Sequence, residues 1–168
     1  MKKIYSLILI SLFASGCSYL GYLGIGSPDE RWADYKSWST IHSQPITGDH
    51  TRFLGGLHEG EDGVRQVFVN DIGLEASLGE APYNYPVGTV IAKEQYSSMA
   101  AFEAGRSPGF TAMVKVSDDA ANPAENWEWS RGYLLGASTT DTFCSGCHTI
   151  AVGNDYVFSN ATSLADFQ

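Results

Sequence analysis

"YPVGTVIAKEQY", residues 85–96, is the stretch on which the fold turns. Pro86 and Gly88 open it with turn chemistry, and a short run rich in β-branched residues follows, so it reads as a strand. The two-residue period of a strand puts Thr89, Ile91 and Lys93 on one face. Similar runs lie outward from it. "VRQVFVN" (64–70) precedes it, and "FTAMVKVS" (110–117) and "WEWSRGYLL" (127–135) follow, the last with Trp127 and Trp129 on one face. "NDYVFS" (154–159) is expected as a short terminal strand. The connections are too short for crossover helices, which implies antiparallel pairing. Helices are fewer. "SPDERWADYKSWSTIH" (27–42) predicts an opening helix, with Ser27 as N-cap, Pro28 at the first helical position and Glu30 closing a capping box. Trp32, Tyr35 and Trp38 recur there at helical spacing. "DIGLEASLGEA" (71–81) reads as a short helix or turn, "AAFEAGRS" (100–107) is ambiguous, and the glycine-rich "HTRFLGGLHEGEDG" (50–63) and "DDAANPAEN" (118–126) read as loops. No internal repeat is visible. The expected class is α+β: a mostly antiparallel sheet with a few helices.

The chemistry sits near the C-terminus, in "CSGCHTI" (144–150). Cys-x-x-Cys-His is the pattern that fixes a c-type haem through two thioethers and gives its iron one axial histidine. Cys144, Cys147 and His148 are therefore the candidate cofactor-binding residues, with His148 as the metal ligand. A zinc site is the first alternative, but a closed structural site needs four ligands, and His42, His50 and His58 form no spaced ligand pair. A Cys-x-x-Cys redox motif is the second, and the βαβ pattern that would accompany it is not visible. A helical electron-transfer cytochrome carries its motif early and a methionine after it. Here Met99 and Met113 both precede His148, and a methionine is more often a core filler than a ligand.

The N-terminus sets the compartment. "MKKIYSLILISLFASGC" (1–17) has a basic start, an apolar stretch from Ile4 to Phe13 and small residues leading to a cysteine. This reads as an export signal, residues 1–16, of the bacterial lipoprotein type, with Cys17 as the acylated new N-terminus. Ala14 stands where such signals usually carry leucine. An uncleaved membrane anchor is the alternative, since "SYLGYLGIG" prolongs the apolar run; Gly21, Gly24 and Gly26 argue against it. Ser18, by resemblance to sorted lipoproteins, points to the outer membrane. The expected organisation is thus a leader (1–16), an acylated cysteine and tether (17–27) and one domain (28–168) held at a membrane in the periplasm. The chain has three cysteines, so none remains for a disulfide. Its formal charge is −9; without Lys2 and Lys3, 8 basic residues face 19 acidic ones, or −11. That acidity disfavours nucleic acid and suits a basic redox partner protein.

Four motifs in order, over about residues 30–160, give the chain a family resemblance. They are "YPVGTVIAKE", "MVKVSDDAANPAENWEWSRG", "CSGCH" near the C-terminus, and "DYVF" beginning seven residues after the histidine. The chain resembles the cytochrome P-460 family, which includes the cytochrome c-prime beta group. The resemblance implies a mostly antiparallel β fold with helices, usually as a homodimer. It also implies a single haem c, bound by histidine on one side and open to small nitrogen oxides on the other.

The family also marks Lys93. In the P-460 cytochromes a lysine at the matching strand position is bonded to the porphyrin edge. The mature chain has only Lys36, Lys93 and Lys115. Lys36 is expected on the solvated side of the opening helix. A lysine held among apolar groups has its charged form disfavoured, and the neutral amine is the nucleophile such a link requires. The plain alternative is a strand-end lysine paired with Glu94 or Glu30. The cytochrome c-prime beta members lack the link and cap the iron with aromatics, for which Phe68, Tyr96, Phe102 and Phe110 are candidates. Hydroxylamine-oxidising members use a nearby carboxylate as base; the expected position holds Thr111 here, with Glu103 and Asp118 close in sequence only. Arg131 is a candidate partner for a haem propionate. Three functions follow as expectations. The first is hydroxylamine oxidation or detoxification, the second non-catalytic nitric oxide binding, and the third, ranked lowest, electron transfer with Met99 as sixth ligand.

Overall fold

The computed structural model describes residues 26–49, 51, 57–137 and 142–168. The expected leader, Cys17, most of the tether, and His50 lie outside the described residues.

The centre is an antiparallel sheet of six strands: β1 (Ser39–Thr40), β2 (Ile46–Thr47), β3 (Val64–Val69), β4 (Val90–Tyr96), β5 (Gly109–Lys115) and β6 (Trp127–Ser130). The order is β1-β3-β4-β5-β6, with β2 also pairing with β3. Among the described residues three short α-helices accompany it: α1 (Asp71–Leu78), α2 (Met99–Glu103) and α3 (Thr142–His148). The expected α+β class, with a mostly antiparallel sheet, is the one observed.

Strand alternation divides the interior in two. Val67, Val69, Ile91, Met113, Trp127 and Trp129 belong to one core, together with Tyr156, Val157 and Leu164 from the C-terminal segment. Phe68, Val90, Ala92, Ala112 and Val114 belong to the other, covered by Trp32 and Tyr35. The register places Val67, Lys93 and Thr111 in line across β3, β4 and β5. Lys93 therefore shares a face with Ile91, as the two-residue period required.

Asn70 holds the start of α1 against β4. Its side-chain oxygen accepts from the backbone N–H of Gly73 (3.2 Å) and of Val90 (3.0 Å), and its amide donates to the Gly88 carbonyl (2.9 Å). A Cβ on Gly73 would lie 2.3 Å from Thr89 Cγ2, so the close approach of helix to strand needs glycine there.

Several expectations need correction. Residues 27–42 do not form a helix. They run through turns, one 3-10 turn at Tyr35–Ser37, and β1. Asp29 accepts from Arg31 (2.7 Å), the Asp29 N–H donates to the Tyr133 carbonyl (3.1 Å), and Trp32 Nε1 donates to the same carbonyl (2.9 Å). These tertiary anchors outweigh local periodicity. The segment 154–159 is not a strand: Asp155 (φ 52) and Tyr156 (φ 66) are left-handed, a backbone no strand can use. β4 begins at Val90, because Pro86 to Thr89 closes a turn with Gly88 at φ 92. β6 stops at Ser130, and the ambiguous 100–107 stretch supplies most of α2.

One buried polar cluster ties the sheet to the C-terminal segment. Lys115 Nζ lies 2.7 Å from both carboxylate oxygens of Asp155. Asp155 also accepts from the Tyr85 N–H (2.9 Å) and from Trp127 Nε1 (3.3 Å). A second cluster sits on the opposite face. There the buried Glu94 carboxylate accepts from Tyr35 (2.5 Å) and Tyr96 (2.7 Å), and Lys36 pairs with it (2.9 Å). Burial works against the charged carboxylate, but these three partners together hold its pKa below the usual value.

Candidate functional site: a histidine- and lysine-lined cleft

α3 places the three motif residues together. Cys144, Cys147 and His148 stand at i, i+3 and i+4, so they share one side of a single helix. His148 is buried, and both cysteines are partly exposed and outside any disulfide. The ring of His148 is fixed on three sides. Its Nδ1 donates to the Tyr156 carbonyl (2.7 Å), Trp129 packs at 4.3 Å between ring centroids, and Phe158 at 5.0 Å. The left-handed turn at Asp155–Tyr156 is what aims that carbonyl back at the histidine.

Burial lowers the His148 pKa to about 4; the Tyr156 hydrogen bond opposes this and the Lys93 charge adds to it. The ring is thus neutral at ordinary pH, with its proton on Nδ1 and the lone pair on Nε2. A metal-ligating histidine needs that state and that kind of partner.

His148 faces a cleft whose adjoining pockets share lining residues. One part is lined by Val67, Ile91, Lys93, Thr111, Met113 and Trp129, with Cys144 and His148. A second part brings in Arg65 and Cys147, and the third reaches Gln95, Arg131 and Phe143. His58 and His148 border all three parts. The walls are mainly apolar, both thiols open onto them, and a neutral imidazole nitrogen is available beside them. These residues fit a covalently held haem, with Cys144 and Cys147 as attachment points and His148 as axial ligand.

The decisive comparison covers most of the domain: the sequence profile of the family Cytochrome P460 matches residues 32–159. The chain belongs to the cytochrome P460 family. A search of the curated proteins finds no match. Membership makes this a haem cytochrome, and the cleft beside α3 is where a member of the P460 family with this structure has room and ligands for the group.

The structure sorts the other sequence candidates. Lys93 lines the cleft, in line with Thr111. It makes no hydrogen bond or ion pair among the described residues, so the expected alternative pairing with Glu94 or Glu30 does not form. Glu94 points to the opposite core. Burial, then the nearby Arg65 charge, lowers the Lys93 pKa to about 8, while Cys144 and Cys147 work against the shift. Were both thiols converted to thioethers, that opposing effect would be lost.

The candidate aromatic cap is corrected. Phe68 and Phe110 pack in the opposite core, and Tyr96 and Phe102 form a separate cluster with Val64 and Ala101. The aromatics that do line the cleft are Trp129, Phe143 and Phe158. Met99 is exposed on α2 and away from the cleft, so the sixth-ligand reading loses its residue; Met113, by contrast, is buried in the cleft wall. No carboxylate stands among the described lining residues; Glu103 and Asp118 are not among them. Arg131 reaches the mouth, with its guanidinium 5.1 Å from the centre of the Phe143 ring.

The residues missed at the sequence level are His58, Gln95, Trp129 as the support of His148, and Asp155. "DYVF" carried the family likeness, but nothing in it indicated an ion pair with Lys115. His58 has no local signal, because what matters is a contact 37 positions away, with Gln95.

Proposed function

We propose that this P460 cytochrome holds one haem c through Cys144 and Cys147, with His148 as axial ligand, and binds a small nitrogen compound at the open side of the iron. The favoured activity is oxidation or detoxification of hydroxylamine. The observation that carries this reading is a neutral, oriented imidazole and an unpaired lysine amine bordering the same mainly apolar cleft. When bound, the haem supplies an iron that takes a further ligand and accepts electrons from it. The chain's own residues do the rest. His148 is held by Tyr156 and Trp129. Lys93 offers an amine whose charged form is disfavoured, as a bond to the porphyrin edge requires. Arg131 at the mouth suits a haem propionate.

The test is spectroscopic. Mature native protein is expected to show a ferrous Soret band far to the red of an ordinary c-type haem, and an intact mass with hydrogen lost relative to simple haem addition. Lys93→Ala is expected to restore ordinary values of both and to consume hydroxylamine much more slowly with an artificial oxidant. An ordinary spectrum and mass in the native protein would remove the crosslink.

Thr111 favours a second reading. It is the cross-strand neighbour of Lys93 on β5, where a proton-accepting carboxylate would sit in an oxidising member, and its hydroxyl is a poor base. On that reading the protein binds nitric oxide without turnover. Thr111→Glu should then raise hydroxylamine oxidation if the cleft is otherwise competent.

We further propose a periplasmic lipoprotein, held by acyl groups on Cys17 at the outer membrane, to which its Ser18 points, and acting as a homodimer with a basic redox partner. Mass spectrometry of membrane-extracted protein is expected to find lipid on a chain starting at Cys17. A retained Met1, or a soluble unacylated chain, would refute the anchor.

A further inference from the structure

His58 borders every part of the cleft, and neither the haem attachment nor the lysine accounts for it. Its position is built rather than incidental. The backbone at His58 is left-handed (φ 49, ψ 40), and Glu59 follows at φ 65. Such conformations persist where surrounding contacts enforce them. The buried Arg65 guanidinium supplies those contacts, donating to the carbonyls of His58 (3.0 Å), Gly60 (2.9 Å) and Gly48.

The side chain is equally constrained. His58 Nδ1 lies 3.2 Å from Gln95 Oε1, and Gln95 Nε2 donates to Thr111 Oγ1 at 3.0 Å. With Gln95 Oε1 turned to His58, the imidazole proton sits on Nδ1 and is donated to that oxygen. The Lys93 charge, then burial, push the His58 pKa below its ordinary value; with Lys93 bonded to a porphyrin the first cause is lost and burial still disfavours the charged ring. A neutral ring with its proton on Nδ1 has a bare lone pair on Nε2. That nitrogen has no hydrogen-bond partner among the described residues.

We propose that His58 Nε2 is the hydrogen-bond acceptor for an N–H or O–H of the small molecule bound in the cleft. The inference rests on the reading of the cleft as an open haem site and deepens it by adding a ligand preference. Hydroxylamine has hydrogens to donate to such a nitrogen, and nitric oxide has none. His58 thus favours the first over the second. The chain His58–Gln95–Thr111 engages Nδ1 and leaves Nε2 as the ring nitrogen that can accept from a ligand.

The experiment is a pair of spectral titrations of haem-loaded full chain, one with hydroxylamine and one with nitric oxide, comparing native protein with His58→Leu. The expected result is an affinity for hydroxylamine weaker by about tenfold, the scale of one hydrogen bond, with nitric oxide affinity unchanged within about twofold. Should His58→Leu fail to take up haem, Gln95→Leu carries the test. It removes the acceptor that fixes the Nδ1 proton, and a several-fold loss for hydroxylamine alone is again expected. Native protein that binds both ligands, with the variant binding both equally well, overturns the role of His58 and leaves the open-site reading intact. A native protein that binds neither overturns the open-site reading and this inference with it. A resting low-spin spectrum that becomes high-spin in His58→Leu would make His58 an iron ligand and overturn its role as acceptor.

Discussion

Denatured Cys144→Ala/Cys147→Ala double variant is expected to retain no haem at all, because both thioether positions are gone. Haem staining after denaturing electrophoresis reads this directly, and the effect is complete rather than graded. The single variants are expected to keep a reduced level of attachment through the remaining sulfur. His148→Ala separates attachment from ligation. The thioethers survive, so the haem stays on the chain, but the ring that Tyr156 and Trp129 hold in place is lost and the visible spectrum must change. Covalent haem in the double variant would defeat the attachment scheme. Zinc in place of iron in elemental analysis of properly matured protein would defeat the whole assignment.

Asp155→Ala is expected to be the most damaging single change to stability. It leaves the Lys115 ammonium, whose side chain is 1% exposed, without its close carboxylate, and it frees the Tyr85 N–H and Trp127 Nε1 at the same time. Asp118 is no substitute, since it is mainly exposed and stands 3.8 Å away. Removing one partner of a buried pair costs about 3–5 kcal/mol, and the left-handed backbone at Asp155 is also less favourable for alanine than for aspartate or asparagine. Chemical denaturation of haem-loaded protein should show the loss as a lower midpoint. Asp155→Asn keeps an acceptor and tolerates the backbone, so it should fall between native and alanine. A loss below about 1 kcal/mol for Asp155→Ala would mean that the pair is not the fastening described.

The sheet was legible in the sequence because its strands state their period locally. β3, β4 and β5 are short β-branched runs bounded by turn residues, and their alternation also put Lys93 on the right face. The haem motif was legible because its three residues lie within five positions of one helix. The opening segment misled because its aromatic spacing is as good as a helix's, while its actual conformation is set by Tyr133 and Leu134, about a hundred residues away. "NDYVFS" misled for a related reason. Its composition suits a strand, but Asp155 is committed to Lys115, and Tyr156 must return its carbonyl to His148. His58 and Gln95 were illegible because only the assembled sheet brings them together. Phe68 and Phe110 failed as cap residues on parity, being β-strand residues of the right kind on the wrong face, while Phe102 stands on α2 and packs with Tyr96 in a separate cluster.

Adjacent opposite charges on β4 also act as a check on assembly. Lys93 and Glu94 are neighbours in the chain yet belong to different cores, one bordering the cleft and the other between Tyr35 and Tyr96. Sliding β4 by a single residue would exchange them. A carboxylate would then enter the haem chamber, taking Tyr96 of the same strand with it, and an ammonium would meet the Tyr35 phenol and Lys36. The slip takes Glu94 from Tyr35 and Lys36 and sets Lys93 beside Lys36, and both faults occur together, so a misthreaded hairpin cannot settle by relaxing on one side. The apoprotein that awaits its cofactor is in this sense self-proofreading: the signs of two side chains reject the frame-shifted sheet before any haem arrives to select the right one.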